Sequence, residues 1–328
     1  MLLRQLFRGR TPLSLIIRGL SSANPQPSVS VDKEALMKLR KRTGYSYVNC
    51  RKALVQFGSE NIAQAEEWLR ERAKTEGWAK AAKLSGRATT QGLVGVKSTG
   101  SLAAIVELSC ETDFVARGES FKNLLEKLTE SVVEHMRKNI PKDLPRKILA
   151  VDLELQSLVD AEGKALSETL TMAVGRLGEN IAVRSIRALY APEDTCLYSA
   201  SHPREGSSSV SMGRFVSVIA LKRASVEGLF PTDRLAAQLC QHVIGMRSET
   251  LGEPPQAEKS VEKNTVTGVP EDELNEFAHV ETTSIDEDET ALLRQAFMLN
   301  PSQTVYEYVQ GHQAEIVDFV RKELGEAD

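Results

Sequence analysis

Before residue 90 the apolar side chains of this chain recur every three or four residues; beyond it they also alternate every second residue. Neither an all-helical nor an all-strand fold satisfies both periods, so helices and strands must occupy different parts of one α+β chain. In the first part, Leu36 and Leu39 point inward behind Asp32 and Glu34, with Ser30 placed to cap this helix and Gly44 to stop it. Ser46 heads a second helix whose Cys50, Ala53, Leu54 and Phe57 share a face, ended by Gly58. A third sets Ile62, Ala65, Leu69 and Ala73 on one stripe. Three helices within about forty-five residues bury little core, and such a unit works by presenting a surface.

A basic connector over 77–91, with Lys80, Lys83 and Arg87, leads into the alternating part. Gly92–Lys97 and Leu102–Cys110 flank Ser98-Thr99-Gly100 as a β-hairpin, with Leu102, Ala104, Val106, Leu108 and Cys110 on one face. The spacing of Phe121, Leu124, Leu125, Leu128 and Val132 predicts a helix, and a charged helical stretch is expected from Pro141 to about Gly163, then a helix over Ser167–Leu177. Strands are expected at Ile181–Leu189 and Arg214–Leu221, helices at Thr232–Ile244 and Thr304–Gln310, and a strand or short helix at Glu315–Lys322. The strand–strand–helix texture occurs twice, which divides the core into a first half, 92–177, and a second half, 178–248. Thirteen acids against two lysines between Glu249 and Glu289 mark 249–290 as an acidic, mobile excursion before a C-terminal module, 291–328. The fold class is α+β: a three-helix domain over 32–76, then a two-part core of small antiparallel sheets with packed helices.

The first thirty-one residues contain no acid, and Arg4, Arg8, Arg10 and Arg18 alternate with leucines and isoleucines. That pattern reads as a mitochondrial transit peptide over 1–21 and a linker over 22–31, with a disordered cytosolic tail as the alternative. Removal near Ser21 or Ser22 takes the formal net charge from −4 to −8 and leaves an acidic protein expected in the matrix. Nucleic-acid binding is not the default for an acidic chain, because phosphate-backbone affinity needs clustered cations. No stretch is long and apolar enough for a membrane span. Cys50, Cys110, Cys196 and Cys240 stand far apart without a C-x-x-C pair, which argues against a metal cage or disulfide framework. No cofactor is expected.

The chain shows no phosphate loop, nucleophile elbow or H-E-x-x-H helix, and its histidines, 135, 202, 242, 279 and 312, are scattered. The informative run is Cys110-Glu111-Thr112-Asp113-Phe114-Val115-Ala116-Arg117, where a strand ends and a helix begins near Ser120. An acid beside a large aromatic at such a junction can wedge into another protein's polar site. The alternative is that Asp113 caps a local turn and Phe114 is core. His242 is expected to pack on its helix.

Glu111-Thr112-Asp113-Phe114-Val115-Ala116 resembles the signature of elongation factor Ts. Lys38–Gly44 with Asn49–Leu54, Leu177-Gly178-Glu179-Asn180-Ile181, and Asn300–Val305 through Leu324-Gly325-Glu326 are similar to three more segments of that family, in its order. The resemblance covers most of 32–326 and points to the mitochondrial branch. It implies a non-enzymatic exchange factor that removes GDP from elongation factor Tu as a heterodimer, without direct nucleic-acid or membrane contact. It also implies that Asp113 and Phe114, with Thr112 and Val115, enter the G domain near the Mg²⁺ site. Arg40, Tyr47, Val48 and Arg51 match the family's contacts on the helical domain, with Tyr47 and Val48 standing where the bacterial proteins carry methionines. His202 falls where the family has a histidine in the second half, although Ser199–Pro203 departs from the family pattern. The long coiled-coil excursion of the bacterial proteins is replaced by the short acidic 249–290, as in the mitochondrial members that the chain resembles. The helical domain resembles ubiquitin-associated modules in size and helix count. Two other readings stay open: a binding or holdase protein for Tu, and a carboxylate hydrolase using Glu111 and Asp113.

Overall fold

The computed structural model describes residues 31–43, 45, 47–224, 230–255 and 288–326. The expected transit peptide, Ser30, Gly44, Ser46 and most of the acidic excursion lie outside these residues. The chain divides into two compact units at Leu69/Arg70. That boundary falls inside a helix.

The first unit packs α1 (Lys33–Thr43), α2 (Tyr47–Phe57) and the start of α3 (Ile62–Leu84). Its core is Leu36, Leu39, Cys50, Ala53, Leu54, Ala65 and Leu69, the residues the 3–4 spacing selects. Asp32 caps α1, its carboxylate accepting the Glu34 and Ala35 N–H groups at 3.1 and 3.3 Å. Helix α3 does not stop before a connector at 77; it runs on to Leu84. The residues from Trp78 to Leu84 are mostly Ala and Lys, strong helix formers whose small size had suggested a linker.

The second unit begins with the hairpin of β1 (Gln91–Thr99) and β2 (Leu102–Cys110), turned by Gly100 at φ 59°, a left-handed conformation that glycine adopts without a Cβ clash. There follow α4 (Asp113–Ala116), α5 (Glu119–Lys138), β3 (Leu149–Asp152), α6 (Leu166–Leu177) and β4 (Ile181–Tyr190). Next come β5 (Cys196–His202), β6 (Glu205–Gly206), β7 (Ser211–Gly213), β8 (Phe215–Arg223) and α7 (Thr232–Gly245). The chain closes with β9 (Ala296–Phe297), β10 (Asn300–Thr304), α8 (Val305–Gly311) and β11 (Ala314–Glu323). One antiparallel sheet has the order β3-β4-β2-β1-β7-β6 and a second the order β11-β8-β5, with β9 and β10 paired separately.

The two sheets pack face to face. On β2, Leu102, Ala104, Val106, Leu108 and Cys110 meet Phe121, Leu124, Leu125 and Leu128 of α5. The opposite face, Ala103 and Ile105 with Val94 and Val96 of β1, meets Val216, Val218 and Ala220 of β8. The far side of the second sheet, through Ile219 and Leu221, carries Leu235, Leu239 and Val243 of α7 and Val305 and Val309 of α8. The layers are therefore helix, sheet, sheet, helix, and β2 is buried along its whole length.

Two expectations need correction. The stretch 141–163 is not helical: it holds β3, a single 3₁₀ turn at Leu155–Ser157 and loops. Leu149–Asp152 pairs with Tyr190–Arg187, so edge pairing outweighs the charge pattern that suggested a helix. Strand β4 does not open a separate second sheet; it pairs with β2 along Leu102–Cys110. The 315–322 segment, expected as a strand or a short helix, is a strand paired with β8. The two ends of the acidic excursion sit side by side, with Thr250 bridged to Ala291 and Leu292 N–H donating to Thr250 O at 2.8 Å.

Candidate functional site: an anchored phenylalanine at the end of β2

Strands β2 and β4 end their ladder at Cys110 opposite Ile181, and the residues just beyond hold one another. The Glu179 carboxylate accepts the Thr112 N–H at 3.0 Å and the Thr112 hydroxyl at 2.6 Å. In return the Glu111 carboxylate accepts the Asn180 N–H at 2.7 Å, and the Asn180 amide donates to Arg87 O at 2.7 Å. Arg87 also pairs with Glu111 at 3.3 Å. Hydrogen bonds to ionised acceptors of this kind are about twice as strong as neutral ones.

Thr112 in turn caps α4, its hydroxyl accepting the Val115 N–H. Val115 leans on the core of the first sheet and Ala116 is buried in it. Between these anchors Phe114 stands 84% exposed. The reading that made Phe114 core and Asp113 a cap does not match this geometry: Thr112 is the cap, and Asp113 pairs with Arg117 at 3.2 Å on the surface. A phenylalanine left in water forgoes roughly 1.5–3 kcal/mol of burial, so its exposure is a cost to this fold alone.

The other sequence-chosen residues fall in two places. Arg40, Tyr47, Val48 and Arg51 are all exposed on α1 and α2 of the first unit, Tyr47 and Val48 by more than half. His202 is exposed at the end of β5 and lines a groove of about 470 Å³ with Arg204, Gln241, Ile244 and Met298. Met298 and its exposed neighbour Leu299 were not picked out from the sequence, although Phe297-Met298-Leu299 is too apolar a run for all three to be buried on one face. Glu179 stands out in the sequence only as part of the Leu177–Ile181 motif.

His242 is buried on α7, as expected. Its Nδ1 accepts the Met298 N–H at 3.1 Å and its Nε2 lies 3.1 Å from the Gln295 side-chain oxygen, so the ring is neutral with its proton on Nε2. Burial holds its pKa down, to about 4. Burial, and then the Glu179 carboxylate, push the Cys110 thiol up to about 11; burial takes Cys240 to about 12. Thiols so raised are poor nucleophiles. Among the described residues no group of three or more histidines, cysteines or carboxylates is placed to hold a metal ion, and no helix is long and apolar enough to cross a membrane.

The chain is thus a mixed helix-and-sheet protein that leaves the large apolar side chains of Phe114, Tyr47 and Val48 in solvent. Comparison with known proteins identifies its kind. The family model described as elongation factor Ts, mitochondrial, N-terminal matches residues 18–79, and the one described as elongation factor TS matches 111–326. The chain is 49% identical over 320 residues to mitochondrial elongation factor Ts of Caenorhabditis elegans, covering 96% of this chain and 98% of that protein. It is 51% identical over 308 residues to the protein of that name from Brugia malayi, with coverage of 93% and 91%. With that of Branchiostoma floridae it shares 39% over 311 residues, 91% of each chain. The chain belongs to the elongation factor Ts family, whose members are nucleotide-exchange factors for elongation factor Tu.

Proposed function

We propose that this chain accelerates GDP release from mitochondrial elongation factor Tu by inserting Asp113 and Phe114 beside the Mg²⁺–nucleotide site. The observation that carries the reading is the exposure of Phe114 on a segment fixed at both ends. Mg²⁺ bridges the nucleotide phosphates, so a side chain that disturbs its shell weakens GDP disproportionately. The coupling is reciprocal: a factor that weakens GDP is itself weakened by GDP. Burying one phenylalanine supplies about ten- to a hundredfold in an equilibrium. The remaining acceleration comes from contacts that hold Tu open, for which Arg40, Tyr47, Val48 and Arg51 on the helical unit, with Thr112, Val115 and His202, are the candidates. The protein acts without a chemical step of its own, as a heterodimer with Tu in the mitochondrial matrix, reached by way of a transit peptide over 1–21, and with neither nucleic acid nor membrane as a direct partner.

The test is stopped-flow release of fluorescent GDP from mitochondrial elongation factor Tu, with the wild-type chain and with Asp113→Ala/Phe114→Ala. Acceleration that drops sharply in the double variant supports insertion. A folded wild type that binds Tu and leaves GDP release unchanged would make the protein a holdase instead.

A further inference from the structure

We infer that Glu179 is a positioning residue for exchange: its carboxylate fixes the base of the segment that presents Phe114, and it acts on the nucleotide only through that side chain. The inference rests on the insertion reading above. Among the described residues Glu179 makes no hydrogen bond to Asp113 or Phe114; it holds Thr112 by both backbone and hydroxyl, at 3.0 and 2.6 Å. Thr112 then holds the turn, because its carbonyl accepts the Ala116 N–H at 3.2 Å and its hydroxyl the Val115 N–H at 3.4 Å. Phe114 is two residues from the clamped atom, and its own exposed side chain gives it no anchor.

The carboxylate is delivered from a separate element. Helix α6 ends at Gly178, whose φ of 81° reverses the chain and whose N–H closes on Val174 O at 2.9 Å. The next residue is Glu179, and the one after it, Asn180, is held by Glu111 and holds Arg87. Each strand end thus clamps the other across the sheet. A wedge that displaces groups in a partner must arrive in one orientation, and a shift of about 1 Å in such a group costs up to about a hundredfold in rate. Without Glu179, Thr112 loses both acceptors and Phe114 is presented from a looser base.

The experiment is a double-mutant cycle on GDP release from Tu at saturating concentrations of the full chain: wild type, Glu179→Ala, Phe114→Ala and the pair. Glu179→Ala is expected to slow assisted release about tenfold, the effect of a misplacement smaller than the 1 Å that costs about a hundredfold. In the Phe114→Ala background the same change is expected to cost less than about twofold, since there is no longer a side chain to position. Glu179→Gln is expected to stay within about twofold of wild type, because its amide can accept the Thr112 N–H and donate to the Thr112 hydroxyl. Equal losses in both backgrounds, or none in either, overturn the assignment; a merely structural role predicts the equal losses. If Phe114→Ala itself leaves release unchanged, the insertion reading fails and takes this one with it, an outcome distinct from a slow Phe114→Ala beside a normal Glu179→Ala. Should Glu179→Ala not fold, Glu179→Met, which keeps the volume and lacks acceptors, carries the same comparison.

Discussion

Glu107 on β2 and Lys322 on β11 face each other at 3.5 Å between the two sheets, their side chains 4% and 5% exposed. Glu107 also accepts the Gly325 N–H at 2.9 Å, and Lys322 donates to Glu326 O at 2.7 Å, so each buried charge is hydrogen-bonded as well as paired. Removing one partner strands the other as a buried, unpaired charge at a cost of about 3–5 kcal/mol, whereas replacing both with apolar groups is often tolerated. Lys322→Met is expected to lower the urea midpoint strongly, and Glu107→Leu/Lys322→Met to recover most of that loss. A double variant as unstable as the sum of the singles would show that the two charges do not depend on each other.

Helices α3 and α6 cross where Gly77 meets Gly175. A Cβ on Gly175 would lie 2.6 Å from the Gly77 Cα, a backbone atom that no rotamer change can move. Gly175→Ala should therefore cost about 1–3 kcal/mol by forcing the helices apart. Gly86→Ala is the control, because a Cβ there meets nothing within 4 Å. Thermal unfolding of the two variants, with Gly86→Ala near wild type, checks the crossing.

His242 gives the stability a pH dependence of known sign. Its pKa falls from 6.5 to about 4 on folding, because the buried ring cannot carry charge and a proton on Nδ1 would face the Met298 N–H. A base with a depressed native pKa contributes its full stability above the unfolded value and loses it as the pH falls toward the native one. Roughly 3 kcal/mol should disappear between pH 6.5 and 4. His242→Gln is expected to be less stable at pH 7 and to show a flatter loss over that window in denaturant titrations. A parallel loss in both proteins would assign the acid sensitivity to other groups.

How much of this could be read beforehand depended on how local the signal was. Leu36, Leu39, Ala53 and Leu54 announce their helix face by spacing alone, and the alternation from Leu102 to Cys110 gives one face of β2. That Ala103 and Ile105 are equally buried follows only from a second sheet packed on the other side. Strand β5, written Cys-Leu-Tyr-Ser-Ala-Ser-His, has too little apolar contrast to stand out and is held by pairing with β8. At the site, Asp113-Phe114 was legible as residue types at a junction. Glu179 was not, because 67 residues separate it from Thr112 and only the antiparallel ladder brings the two together.

The exposure of Phe114 separates function from stability in a way that two substitutions can read. Phe121, seven residues beyond Phe114, is wholly buried between α5 and the first sheet. Phe121→Ala should cost about 3–5 kcal/mol through lost burial and a cavity. Phe114→Ala removes a ring that touches mostly water, so its effect on unfolding should lie within about 0.5 kcal/mol. If Phe114 serves a partner, the same substitution should slow Tu-assisted GDP release by roughly ten- to a hundredfold while the melting curve stays in place. A Phe114→Ala protein that melts early would mean that the ring packs on this chain in solution, and its exchange defect would then say nothing about insertion. An unshifted melt with a lost rate leaves contact with the partner as the reason a large aromatic is kept in water.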